Sequence, residues 1–169
     1  EAHLHRVRPA RGLDLATEQA HLQARRGRPV PQPRRAAQQA LRRLNRRKMP
    51  QARASEATVA FLTVDHKRMD ELTERVLDKT TGEFKKEYQS SIKSLTDAAV
   101  SQESVSTGNV EEVGLGDVDA DSASVFVAAG STVKNKGTKG EVEDRNWRMK
   151  LTMVKEGDRW LVSKLEFVG

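Results

Sequence analysis

Near Val100 the apolar residues change their spacing from about 3.6 to 2, and no other feature of this 169-residue sequence constrains its fold as tightly. Upstream, Ala54, Ala57, Phe61 and Val64 recur every three or four positions, which predicts a first helix from Gln51 to about Val64. Asp65 is placed to cap a second helix, whose Met69, Leu72, Val76 and Leu77 share a face. Thr80 and Glu83 have capping-box spacing and predict a third helix, with Phe84, Tyr88, Ile92, Leu95 and Ala99 on one side and its end near Ala98. Downstream the chain reads as four strands. Val110, Val113 and Leu115 mark the first, with a bulge or bend at Gly114 and Gly116. Ala123 to Val133 make a second, whose run Val125, Phe126, Val127, Ala128 predicts a central strand covered on both faces. Trp147, Met149, Leu151 and Met153 alternate with Arg148, Lys150 and Thr152 in a third. After the turn Glu156-Gly157-Asp158, Trp160 and Val162 fall in one phase and Leu165 and Phe167 in the other, so the last strand needs a bulge near Ser163. The order is α+β: three N-terminal helices packed on one face of a curved antiparallel four-stranded sheet.

The first fifty residues read differently. They hold 13 Lys and Arg against 3 Asp and Glu, whereas residues 51–169 hold 17 against 21. All five prolines lie at or before Pro50 and all seven aromatics after it, which places a boundary there. Residues 1–33 have too few large apolar side chains to offset the entropy of ordering, and disorder is expected. From Arg34 to Lys48 a short basic amphipathic helix is predicted, with Ala37, Ala40, Leu41 and Leu44 among six arginines. Nucleic acid, anionic lipid and an acidic protein are the partners such a segment could attract, and a solvated arm is the plain alternative. Without an aromatic to stack a base on, nucleic acid fits least. The contrast in composition also leaves open whether residues 1–50 are native to the domain.

No catalytic set stands out. The absence of cysteine excludes disulfides, thiolate metal sites and thiol nucleophiles. His66, the one histidine after residue 50, lacks a second ligand at metal spacing and reads as a residue of a helix's first turn. Asp65 and Asp70 suit the same helix start through the dipole. Asp117, Asp119 and Asp121 alternate like a calcium loop but lack its glycine and closing glutamate. Gly114-Leu115-Gly116 precedes no helix and is not a phosphate loop. What remains is aromatic: Phe61, Phe84, Tyr88, Phe126, Trp147 and Trp160, with Phe167, could line an apolar pocket or an interface, or fill the core.

The element order and the ending Gly157-Asp158-Arg159-Trp160-Leu161-Val162 resemble the cone-shaped NTF2-like and VirB8-like domains, with a cystatin-like arrangement as competitor. Three stretches, Val59 to His66, Asp78 to Tyr88 and Leu151 to Leu165, are together similar to the actinobacterial Mce-associated membrane proteins. Thr81-Gly82-Glu83-Phe84 with Tyr88 is the most specific part. That resemblance implies a domain in the cell envelope, on the extracytoplasmic side of the cytoplasmic membrane. It implies no active site or cofactor, and a role as an accessory or stabilising subunit that contacts protein partners in a Mce-type lipid-import complex. The family carries a membrane-spanning helix just before the domain, where this chain has its Arg/Pro-rich segment. Two other classes compete: a binder of a lipid or other small apolar ligand, or an NTF2-fold enzyme of isomerase or dehydratase type, and a nucleic-acid binder driven by the basic arm.

Overall fold

The helical pattern on either side of Pro50 is continuous, and in the computed structural model, which describes residues 33–169, both halves belong to one helix. This α1 spans Pro33–Leu62 and passes through Pro50. A helical proline forfeits one i→i−4 bond; here the ring is buried, while every residue from Arg34 to Met49 is exposed. The short basic helix and the first domain helix predicted from sequence are therefore one element, ending at Leu62. The expectation of disorder over 1–33 falls almost wholly outside the described residues. The chain divides into two units, 1–40 and Leu41–Gly169, and the second contains the sheet.

Beyond α1 the elements are β1 (Val64–Asp65), α2 (Met69–Asp78), α3 (Gly82–Gln102), β2 (Val105–Val118), β3 (Ser122–Lys134), β4 (Glu143–Glu156) and β5 (Arg159–Phe167). The strands form one antiparallel sheet in the order β1-β2-β3-β4-β5. It has five strands rather than four, because β1 is two residues long and too short to show alternation. Strand β2 is longer than its apolar residues suggested, and its bulges fall at Glu111 and between Leu115 and Val118. The predicted bulge at Ser163 is present: Met153 pairs with Val162 and Thr152 with Lys164, leaving Ser163 over, its hydroxyl donating to Thr152 O at 3.1 Å. The inserted residue lets Trp160, Val162 and Leu165 all address the core.

Helices and sheet meet through one face. Ala54, Ala57 and Leu62 of α1 pack with Val125, Val127, Met149, Leu151, Met153, Trp160 and Val162, all nearly or fully buried. The end of α1 is fixed on β2: Ser106 Oγ donates to Leu62 O at 2.8 Å. A Cβ on Gly108 would lie 2.5 Å from Leu62 Cβ, so this approach requires glycine. Strand β5 is covered at its middle by the connector between α2 and α3. Thr81 N donates to Val162 O (2.8 Å) and Val162 N to Lys79 O (2.9 Å), which occupies backbone groups an edge strand would otherwise expose.

Both predicted caps are replaced. Asp65 lies in β1, and its Oδ1 accepts from Lys67 N at 3.0 Å; α2 starts after Arg68 without a side-chain cap. Thr81, not Thr80, is the N-cap of α3. Its hydroxyl donates to Glu156, while Thr80 is drawn into a bridge with Val162 and its hydroxyl donates to Leu77 O. Docking on β5 thus overrides the capping box. Helix α3 continues one turn past Ala98, closed by Glu103 in the left-handed region, with Ser104 N donating to Ala99 O.

Candidate interaction surface

The six aromatic positions singled out in the sequence do not form one site. Phe61 of α1 meets Phe84 and Tyr88 of α3, with ring centroids 5.9 and 6.3 Å away and the latter two 6.2 Å apart. At these separations tilted rings attract one another, and the three half-buried side chains join the two helices. Burial pushes the Tyr88 hydroxyl above its ordinary range. Trp160 is buried in the core. Trp147, half-buried at another part of the inner face, donates from Nε1 to the buried Ser131 Oγ at 2.9 Å and packs in a tilted arrangement with its ring centroid 5.6 Å from that of Phe167.

Phe126 is the exception. Strand β3 places Ala123, Val125, Val127 and Ala129 on the helix side, and their alternation sends Phe126 to the opposite face, where it is 44% exposed. The reading of β3 as covered on both sides is corrected here: the described helices pack on one face only. Gly114 is the direct cross-strand partner of Phe126 on β2, so no side chain there covers the ring. The result is a depression of about 490 Å³ lined by Glu112, Gly114, Phe126, Ala128, Arg148 and Val168. It has an apolar floor and one charge of each sign at its rim. The run Val125-Phe126-Val127-Ala128 could not show this, because a phenylalanine that is covered and one that is not have the same sequence.

Among the described residues, several titratable groups stand in exposed ion pairs. Arg159 Nη2 donates to Asp78 Oδ1 at 2.7 Å, and this bond holds the Asp78 carboxyl below its ordinary range. Lys136 lies 2.9 Å from Glu103 and does the same to it. Asp65 is lowered chiefly by the Lys67 amide. His66 approaches Ser104 O at 3.4 Å, too long for a strong bond. Among the described residues no three His, Asp or Glu side chains converge as a metal site, and no helix is long and apolar enough to cross a membrane.

Comparison with solved structures defines the class. The periplasmic domain of DotI superimposes with a TM-score of 0.57 at 12% identity, over 70% of this chain and 91% of that one. CagV, a VirB8 homologue of the type IV secretion system of Helicobacter pylori, does so with a TM-score of 0.56 at 4% identity, over 69% and 94%. The fold is that of the NTF2-like and VirB8-like α+β domains. The chain belongs to the family described as "Uncharacterized protein Rv1363c/MT1408-like", whose profile matches residues 35–169. The protein Rv1363c of Mycobacterium tuberculosis is 34% identical over 118 residues, 69% of this chain. This chain spans 44% of that relative's length.

Proposed function

We propose that this domain is a non-enzymatic accessory subunit of a cell-envelope assembly, acting through protein contacts. In its specific form the proposal makes the assembly a Mce-type lipid-import complex on the extracytoplasmic side of the cytoplasmic membrane. The observation that carries the reading is the open outer face of the sheet. A large aromatic, Phe126, stands 44% exposed on the strand at the centre of a five-stranded sheet, flanked by Gly114 and Ala128 and rimmed by Glu112 and Arg148. An exposed aromatic in a shallow apolar depression with a charged rim has the make-up of an interface hot spot. Two kinds of similarity support the wider setting: the stretches that resemble Mce-associated proteins, and a fold like that of the DotI periplasmic domain and CagV.

The test is capture from solubilised membranes of the source organism by the full chain, read by quantitative mass spectrometry beside the Phe126→Ser variant. Enrichment of lipid-importer subunits that is lost in the variant supports the proposal. Enrichment of other envelope proteins through the same face rejects the lipid-import form and keeps the accessory role. Capture unaffected by the substitution removes the outer sheet face from the mechanism.

A further inference from the structure

We infer that the basic half of α1 carries a binding site for anionic phospholipid at a membrane surface. From Gln19 to Ser55 the sequence has no Asp or Glu, so the cations of α1 before Arg53 have no helical acidic partner nearby. Arg53 itself pairs with Glu56, but no ion pair among the described residues engages Arg42, Arg43, Arg46, Arg47 or Lys48. Five neighbouring cations that no described residue pairs are a standing attraction for an anion.

The apolar residues decide which anion. Leu41 and Leu44 are 59% and 52% exposed, three apart on one side of the helix, and Arg47 and Lys48, one turn beyond Leu44, straddle it. A helix with leucines between long cationic side chains lies in the headgroup layer, with the leucines in the acyl boundary and the cations reaching up to phosphates. Phosphates of a nucleic acid would use the arginines but leave both leucines in water. A second feature points the same way: a cleft of about 570 Å³ between this half of α1 and the end of β2 is lined by Arg43, Leu44, Arg46, Arg47 and Val118. Three guanidiniums beside two apolar side chains match a phosphodiester that is covalently joined to an apolar tail.

The experiment is co-sedimentation of the full chain with phosphatidylglycerol/phosphatidylcholine vesicles, with phosphatidylcholine alone and, in parallel, titration of a labelled duplex DNA. Binding to the anionic vesicles and not to the neutral ones is expected. With each juxtamembrane cation worth about fivefold, Arg43→Gln/Arg46→Gln/Arg47→Gln should weaken it by roughly a hundredfold. Leu41→Ser/Leu44→Ser should weaken vesicle binding severalfold and leave any DNA binding unchanged. Both variants alter exposed residues outside the core, so an unchanged thermal melt is the check on folding. Equal binding to the two vesicle types, no vesicle binding, or vesicle binding indifferent to the leucine pair would each overturn the inference. The last outcome, with DNA bound, would identify a purely electrostatic arm. Phe126→Ser plays no part in this assay, so its result stands apart from that of the capture experiment.

Discussion

Thr58 is the one buried side chain of the described residues whose polar atom lacks any hydrogen-bond partner. It lies on the buried stripe of α1 with Ala54, Ala57 and Leu62, and is 0% exposed. A hydroxyl stripped of water and given no partner costs about 1–3 kcal/mol. Thr58→Val replaces it with a methyl of similar size, and helix propensity hardly changes because Thr and Val rank together. The expected gain is about 1–2 kcal/mol, equivalent to a rise of roughly 3–6 °C in Tm for a domain of this size. Thr58→Ser supplies the control: it keeps the unpartnered hydroxyl and deletes the buried methyl, and should lose about 1 kcal/mol. Urea denaturation followed by circular dichroism measures both, with unchanged m-values as the sign that the denatured state is unaffected. If the valine variant is no more stable than the parent, the hydroxyl has a partner, such as a buried water, and the reasoning fails.

Three further substitutions probe the junctions and the surface. Gly108→Ala should cost about 1–3 kcal/mol by overpacking, and since the new Cβ meets Leu62 Cβ, truncating Leu62 to Ala would not relieve it; chemical denaturation of the single and double variants decides this. Asp78→Asn removes the negative charge from the exposed pair with Arg159 and should cost about 0.2–1 kcal/mol near neutral pH. Because the folded-state pKa of Asp78 is depressed, its contribution is present above the ordinary carboxylate range and is lost as pH falls through the lower folded value; the variant's stability curve should therefore meet the parent's in acid, read from urea midpoints down to about pH 2. Phe126→Ser should change stability by about 1 kcal/mol or less, since the ring is nearly half exposed, so any loss of capture can be assigned to the surface by comparing melts.

Elements governed by local periodicity were legible in the sequence. The alternation of Met149, Leu151 and Met153 with Lys150 and Thr152 and the phase break at Ser163 are each properties of a short consecutive stretch, and the structure reproduces both. What could not be read depends on partners distant in the chain. Thr80 and Glu83 satisfy the local rule for a capping box, yet Thr80 is taken by Val162 and Thr81 by Glu156, some 75 residues away. Pro50 obeys its local rule in breaking one helical bond, but buried contacts of Ala54, Ala57 and Thr58 just beyond it hold the second half of the helix in place. The aromatic residues fail as a single site for the same reason. Their types say that they are apolar, and only the sheet's sidedness says that Trp160 faces the helices and Phe126 does not.

That sidedness keeps the two proposed surfaces apart. Helices α1 and α3 contribute the residues that pack on the inner face of the sheet, so a change on the outer face around Phe126 leaves the core untouched, and the exposed half of α1 can lose charge without loss of packing. The two surfaces are also chemically distinct. One is an aromatic in a shallow depression with a charge of each sign at its rim, suited to a protein whose own surface supplies the complementary pair. The other is a run of guanidiniums that no described residue pairs, with leucines between, suited to a continuous anionic surface. Salt separates them: at 1 M the Debye length falls to about 3 Å, so vesicle binding through α1 should collapse while protein contact through Phe126, which depends on apolar burial, should persist. Performing the capture and the co-sedimentation at about 0.15 M and at about 1 M salt assigns each activity to its surface without any further substitution.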